Sequence, residues 1–157
     1  MIEKLKQKNL IDIIDLLNEY NDSFNDLYIT IDKSRIFLKN DWSLIQKILE
    51  YQECYGYFEK DGLKGILLVY REKNFRPYLK IFAANCDKLI LQKLMKFFVW
   101  NRNEIDVFCK LKSDNPIVSI LKKFGFFVKG LRGTEVLLFK KGYKNTYKLI
   151  PKDVWEK

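Results

Sequence analysis

The chain has 157 residues, 48% hydrophobic and 15% aromatic, which is enough to bury the core of one globular domain and excludes a disordered protein. Its net charge of +9 favours anionic partners such as nucleic acid, phosphorylated cofactors or acidic lipid, although lysines scattered over a solvated surface explain that charge equally well. Histidine is absent, so acid–base chemistry near neutral pH depends on carboxyl, tyrosine, cysteine or lysine groups with shifted pKa values.

Cysteine usage and hydropathy bear on the compartment. Cys54, Cys86 and Cys109 are widely separated, which fits neither a disulfide framework nor a zinc-binding spacing. No apolar run is long enough to span a bilayer, and Asp12 and Asp15 interrupt the apolar pattern near the N-terminus. We therefore expect a cytoplasmic protein with reduced thiols, no metal site and no membrane partner.

Two amphipathic helices are predicted in the first third of the chain. Apolar residues recur at three- and four-residue spacing over 10–20, with aspartates on the opposite side. A second helix is predicted over 42–51, with Asp41 as its N-cap. The stretch 27–31 between them fits either a short strand or a loop.

A hairpin and a strand–helix unit follow. Residues 54–60 and 64–71 predict antiparallel strands joined by an Asp-Gly turn. The second of these is apolar on both faces, which is typical of an interior strand. Residues 77–84 predict a third strand, which leads to a helix over 88–101 with Asp87 as its N-cap.

The last part of the chain has the pattern of strand, helix and hairpin. Residues 105–112 alternate in polarity as a strand does, and a Ser-Asp-Asn-Pro turn follows them. A short helix is predicted with Pro116 in its first position and Gly125 as its left-handed stop. Residues 126–131 and 134–139 then predict a hairpin.

This order of elements resembles that of the GCN5-related N-acetyltransferases, the GNAT superfamily. The strand, the asparagine, the short helix ending in Lys-Phe-Gly-Phe and the hairpin match the C-terminal half of that family, and residues 57–67 resemble its second and third strands. The resemblance implies a mixed α/β fold in one GNAT-like domain over 1–157, with a mostly antiparallel central sheet, splayed middle strands and helices on both faces. No element is predicted for the tail, 142–157.

The resemblance also implies an acyl-CoA-dependent N-acyltransferase that moves an acyl group from acetyl-CoA, or another acyl-CoA, to an amine. In the family, a glycine-rich turn offers backbone N–H groups at a helix N-terminus to the cofactor's pyrophosphate. Here that turn, 83–91, contains no glycine, so the chain resembles a divergent member. An ordinary turn capped by Asp87 is the alternative. The implied cofactor contacts are Phe82, Ala83, Ala84, Asn85, Lys88 and Asn115.

The catalytic positions follow the family only in part. Asn115 stands where the family places an asparagine beside the arm of the cofactor, but turn and capping chemistry, which needs no ligand, is the stronger interpretation of it. Leu121 replaces the tyrosine that often serves as general acid in the family. Tyr70 is therefore a candidate replacement, as are Tyr57 and Tyr78, and packing within the sheet is the alternative for all three.

Strand carboxylates are the candidate general bases. Glu59, Asp106 and Glu135 lie on predicted strands and would act near neutral pH if burial raised their pKa values. A solvated strand face is the simpler interpretation of each. Cys109 is a candidate nucleophile, but without a histidine to activate it, a buried structural thiol is the better interpretation.

Basic and aromatic residues interleave at 71–80 and 140–148. Lysine and arginine neutralise phosphates while aromatic faces stack on unpaired bases, so both stretches are candidate nucleic-acid contacts. Two further functions therefore remain open, which are a GNAT-like domain that has lost CoA binding and serves as a nucleic-acid- or protein-binding module, and a phage-type DNA-modifying enzyme with an altered cofactor site. The candidate contacts are Arg71, Lys73, Arg76, Lys144 and Lys148.

Overall fold

Strands and α-helices alternate along the chain in the computed structural model, which describes residues 1–23, 26–31, 33–71, 78–84, 87–102 and 104–143. The strands are β1 Ile2–Lys4, β2 Tyr28–Ile31, β3 Ser34–Phe37, β4 Tyr55–Glu59, β5 Gly62–Tyr70, β6 Tyr78–Ala84, β7 Asp106–Lys112, β8 Phe127–Arg132 and β9 Glu135–Lys140. The α-helices are α1 Leu10–Ser23, α2 Trp42–Tyr51, α3 Lys88–Asn101 and α4 Ile117–Lys123. Each helix predicted from the sequence is present at its predicted place.

Seven of these strands form one mixed sheet in the order β1-β4-β5-β6-β7-β9-β8. Only β6 and β7 run parallel among the paired neighbours in the described residues. Residues 66–69 of β5 point alternately to opposite faces and are all 0% exposed, so both faces of the sheet are covered at its middle. The predicted fold, a mostly antiparallel sheet with helices on both faces, is confirmed.

Side-chain caps begin two of the helices as predicted. Asp41 Oδ1 accepts a hydrogen bond from the backbone N of Leu44 at 3.0 Å and begins α2. Asp87 Oδ1 accepts one from the backbone N of Leu89 at 2.8 Å and begins α3. Gly125, with φ +95°, follows the end of α4, a backbone conformation that a residue with a side chain rarely adopts.

A separate two-stranded sheet forms from β2 and β3. The stretch 27–31, which fitted a strand or a loop, contains β2, and its partner β3 has no strand pattern in the sequence. Lys33, with φ +68°, lies in the turn between them. Leu27, Tyr28 and Ile29 are buried, so this hairpin packs into the protein.

One connected hydrophobic core joins the helices to the sheet, with Ile13 and Leu17 from α1, Leu67 from β5, and Leu94 and Phe98 from α3 among its members. Packing of this kind supplies most of the stability of a small domain. Of the helices in the described ranges, none is long and apolar enough to cross a membrane.

Candidate active site

The two central strands separate partway along their length. β6 and β7 pair at Tyr78↔Asp106, Leu79↔Val107 and Lys80↔Phe108. β6 then continues to Ala84 and β7 to Lys112, and within the described part of the chain no ladder joins these two ends. The predicted splay of the middle strands is therefore confirmed. We call the space between 81–84 of β6 and 109–112 of β7 the split.

Asp26 lies against the β7 edge of the split. Its Oδ2 accepts a hydrogen bond from the backbone N of Lys112 at 3.1 Å. Successive N–H groups point to opposite edges of a strand. Because the N–H of Ser113 bonds to Thr134 O on the β9 side, the N–H of Lys112 points toward β6. Asp26 thus occupies a position where a paired strand would otherwise bond to β7.

Asn115 connects Asp26 to two helices. Its Nδ2 donates to Asp26 Oδ2 at 2.8 Å and also to the hydroxyl of Tyr20 in α1. Its Oδ1 accepts from the backbone N of Ile117 at 2.9 Å, which caps α4. Both amide hydrogens therefore have partners inside the protein, and the residue is 2% exposed. In this structure the Asn115 side chain links Asp26, Tyr20 and the start of α4, and its amide has no hydrogen left to donate to the arm of a cofactor.

The electrostatics of Asp26 are dominated by burial. The residue is 2% exposed, and desolvation raises the pKa of its carboxyl against the hydrogen bonds from Asn115, Lys112 and Tyr20, which lower it. Its second oxygen, Oδ1, is buried without a hydrogen-bond partner in the described structure. Burial, and then the charge of Asp26, raise the pKa of the Tyr20 hydroxyl. Neither residue lies in a motif that marks a functional site in the sequence.

Two lysines are buried beside the split. Lys80 Nζ donates to the backbone O of Tyr28 at 2.7 Å, and it lies 4.9 Å from the ring centroid of Phe82. The Nζ atoms of Lys80 and Lys110 lie 5.2 and 5.3 Å from the centroid of the Tyr28 ring, distances at which a cation is attracted to an aromatic face. The alternation along β7 had placed Lys110 on a polar face. That face is instead covered by the β2–β3 hairpin.

Two of the strand carboxylates are also buried, so their interpretation as solvated groups is wrong. Asp106 is 0% exposed and Glu135 is 9% exposed. Glu135 Oε1 accepts from Arg35 Nη2 at 2.7 Å, and Glu135 Oε2 accepts from the Tyr28 hydroxyl. Asp106 Oδ1 accepts from the backbone N of Gly142 at 2.6 Å, and burial raises the pKa of that carboxyl. Segments distant in sequence cover and bind both groups.

The remaining catalytic candidates lie away from the split or lack the required environment. Glu59 is exposed at the β4–β5 turn, so it lacks the burial that its role as a base required. Tyr57 is half-buried on β4 and lines a surface depression with Glu59. Tyr70 is half-buried at the end of β5, with its ring centroid 6.5 Å from that of Phe82. Burial raises the pKa of Cys109 to about 12, which agrees with a structural thiol. The side chain of Tyr78 lies outside the described part.

The strand-to-helix turn is partly described. Ala83 is fully buried in β6, Ala84 ends that strand, and Lys88 is exposed at the start of α3. The carboxylate of Asp87 caps α3, as the alternative interpretation predicted, and takes the N–H of Leu89 that an anion would use. The edge of β6 that faces β7 has no strand partner beyond Lys80 in the described residues, which suits main-chain bonding to an extended cofactor arm, but Ile81, Phe82 and Ala83 are almost fully buried there. The Asp87 charge opposes a pyrophosphate at the helix.

Several predicted binding residues lie outside the described residues. They are Asn85 from the cofactor turn and Lys73, Arg76, Lys144 and Lys148 from the two basic and aromatic stretches. Arg71, which follows β5, is half-buried. The nucleic-acid prediction stays a prediction.

Comparison with solved structures identifies the fold. The chain superposes on a candidate acetyltransferase from Acinetobacter baylyi ADP1 with a TM-score of 0.73 at 11% identity, covering 96% of this chain and 97% of the other. An acetyltransferase of the GNAT family from Streptococcus agalactiae gives 0.67 at 15% identity, with 92% and 96% covered. An aminoglycoside 6'-acetyltransferase type Ii gives 0.63 at 13% identity, with 90% and 96% covered. At these identities the likeness concerns the fold.

Comparison of sequences gives a different result. No family model and no curated protein sequence matches the chain. The similarity to acetyltransferases is therefore carried by the arrangement of the strands and helices.

Proposed function

We propose that this chain, which has the fold of the GCN5-related N-acetyltransferases, is an acyl-CoA-dependent N-acyltransferase. The split is the observation that supports this most directly. An extended ligand can add to the free edge of a strand through main-chain hydrogen bonds, and residues 81–84 of β6 offer such an edge. When bound, acyl-CoA supplies a thioester carbonyl that an amine can attack.

The residues that would hold the cofactor follow from that edge. The backbone of Phe82, Ala83 and Ala84 would bind the pantetheine arm, and the buried side chains of Phe82 and Ala83 keep the strand fixed. Lys88, exposed at the start of α3, would meet the pyrophosphate. Asp87 sets a limit on affinity, because its negative charge lies at the same helix end.

Calorimetric titration with acetyl-CoA at moderate salt, with free CoA as the comparison, tests this proposal. We expect a micromolar dissociation constant, which corresponds to a binding free energy of about −8 kcal/mol. Asp87→Ser is the informative variant, since serine keeps an N-cap oxygen and removes the charge. We expect it to bind about fivefold more tightly, the equivalent of about 1 kcal/mol at a helix N-terminus. No heat from any variant, together with no rise in melting temperature, would overturn the proposal.

The acceptor is an amine, and the solved neighbours suggest a first panel. They include proteins named as acetyltransferases of spermidine, of an aminoglycoside and of ribosomal-protein alanine. Transfer of the acetyl group to spermidine, to an aminoglycoside and to a peptide with N-terminal alanine should be measured by release of free thiol. Turnover with one class and not the others would assign the substrate class.

The Asp87 cap favours a second candidate, a GNAT-fold protein that has lost CoA binding and binds nucleic acid. The net charge of +9 would suit that partner. Absence of acetyl-CoA binding, combined with an affinity for DNA that falls steeply with salt, would favour this candidate over the first. DNA binding together with acetyl-CoA binding would point instead to a DNA-modifying enzyme.

A further inference from the structure

We propose that Asp26 is the group that accepts the proton of the acceptor amine, an inference that rests on the proposed N-acyltransferase function. Its carboxylate lies at the edge of β7 that faces the split, because it binds the Lys112 N–H that points toward β6. An acyl group held on the opposite edge, 81–84 of β6, would lie across the same space. The residue therefore stands between the two strands that the proposed reaction uses.

The two oxygens of Asp26 have different environments. Oδ2 is held by the backbone N of Lys112, by Asn115 Nδ2 at 2.8 Å and by the Tyr20 hydroxyl, so the carboxylate cannot rotate freely. Oδ1 is buried and lacks a partner among the described residues. A buried oxygen without a partner costs stability, and such a cost is typical of groups kept for function. Oδ1 is thus the oxygen with unused capacity to accept a proton.

The three strand carboxylates that the sequence offered as general bases do not compete for this role. Glu135 is bound by Arg35 and Tyr28. Asp106 also has one buried oxygen without a partner among the described residues, but it lies at the end of β7 where β6 is paired, away from the split, and its other oxygen binds Gly142 N. Glu59 is exposed at a turn. The chain contains no histidine, so a carboxyl with a raised pKa is the natural base near neutral pH.

Asp26 Oδ1 takes the proton that the amine nitrogen loses as its bond to the acyl carbon forms and the carbon–sulfur bond breaks. Water supplies a proton to the leaving thiolate, and Asp26 then returns its proton to solvent. Tyr20 and Asn115 are positioning residues, because they act through Oδ2.

The charged state of Asp26 can be followed without turnover. Burial, and the charge of Asp26 in addition, raise the pKa of Tyr20, Tyr28 and Cys109, so these three groups stay neutral while Asp26 titrates. The cations Lys80 and Lys110 are buried beside the Tyr28 ring in the same region. The phosphates of acetyl-CoA are negatively charged, and a like charge bound in the same site raises the pKa of a carboxyl further. We therefore expect acetyl-CoA binding to be accompanied by proton uptake at Asp26.

Calorimetry of acetyl-CoA binding in two buffers of different ionisation enthalpy, repeated across pH 5–8, measures that uptake. Asp26→Asn removes the titrating group with little change of shape, and Asp106→Asn is the matched control at the other end of β7. We expect proton uptake in the wild type and in Asp106→Asn, and none in Asp26→Asn. Uptake that persists in Asp26→Asn would overturn the proposal while leaving CoA binding intact. No binding in any variant would overturn the proposed function, and this inference with it.

Steady-state kinetics with the fastest amine of the panel give the second readout. We expect kcat to fall about a hundredfold in Asp26→Asn, the size typical of losing a general base. The acidic limb of the pH–rate profile should disappear in this variant and persist in Asp106→Asn. A loss of kcat that leaves this limb in place would show that Asp26 supports the structure and does not take the proton.

Discussion

Strand β7 has a buried carboxylate at each end, and the two ends differ in what lies beside them. Asp106 begins the strand, and Asp26 binds its last residue, Lys112. Each has one buried oxygen without a partner in the described residues, and burial raises the pKa of both. At Asp106, β6 is paired and the backbone of Gly142 closes the site, whereas at Lys112 β6 has moved away. A shifted pKa therefore does not identify a reactive group until its neighbours are known.

Removing the Asn115 side chain, which binds Tyr20 and Asp26 beside the split, should have the largest effect on the free energy of unfolding. Asn115→Ala removes the cap of α4 and both donors to Tyr20 and Asp26, so we expect about 3 kcal/mol of destabilisation from a lost cap and unsatisfied buried groups. Urea denaturation measures it. Asn115→Ser keeps a capping oxygen and should lose less. If Asn115→Ala lowers the free energy of unfolding by less than about 1 kcal/mol, the hydrogen bonds of Asn115 to Tyr20 and Asp26 do not contribute as proposed.

Adding a side chain beside Asp106, at the end of β7 where β6 is paired, should reduce the free energy of unfolding somewhat less. A Cβ added to Gly142 would lie 2.6 Å from the backbone carbonyl carbon and oxygen of Glu104. Backbone atoms move less readily than side chains, so Gly142→Ala should destabilise by about 2 kcal/mol, as overpacking does. The exposed neighbour supplies the control, since Lys141→Ala should leave the melting temperature unchanged. Equal melting temperatures for the two variants would show that the 141–143 segment does not close this end.

The pH dependence of stability tests the raised pKa that Asp26 and Asp106 share. An unfolded aspartate titrates near 3.9, about the ordinary value, while the folded pKa of each carboxyl is raised. The folded protein therefore holds these protons longer, and wild-type stability falls as the pH rises from the ordinary value through the raised one. Asparagine never becomes charged. Asp26→Asn and Asp106→Asn should each gain stability over the wild type across that window, which thermal melts at several pH values would measure. A stability difference that does not grow with pH would contradict the raised pKa.

Cys109, between the two ends, should show the smallest effect. Its thiol is buried and its pKa is raised to about 12, so Cys109→Ala should cost about 1 kcal/mol from a small cavity and leave acyl transfer unchanged. A thiol-specific reagent should label Cys109 slowly in the native protein, as peptide mass spectrometry would show. Fast labelling at Cys109, or loss of transfer in the alanine variant, would restore it as a candidate nucleophile.

The sequence predicted the local features of the fold because they depend on neighbouring residues. The caps Asp41 and Asp87 and the stop at Gly125 follow from short-range hydrogen bonding and backbone conformation, and all three are present in the structure. The alternation of apolar residues along β7 likewise predicted a strand correctly. The family resemblance predicted the splay between the middle strands, which no local pattern requires.

The sequence did not predict what covers each strand. Alternation divides a strand into two faces, but it does not tell which segment packs on the polar one. Glu135 was expected in solvent and Lys110 on the polar face of β7, and both are covered by the β2–β3 hairpin, whose second strand has no strand pattern. Asp26 was missed for the same reason. Its partner Asn115 is 89 positions away, and no motif marks either residue of that pair as a contact.

The β2–β3 hairpin also bears on how the chain folds. Tyr28 and Arg35 bind Glu135 across separations of 107 and 100 residues, so the entropy of closing two very long loops must be offset before these contacts stabilise anything. The sheet strands β7 and β9 have to be in place first. We therefore expect the hairpin to dock after the transition state, so that changes at Arg35 would accelerate unfolding and leave the folding rate nearly unchanged. The β2–β3 hairpin, which packs on the face of the sheet beside the split, would then be the last part of the molecule to fold.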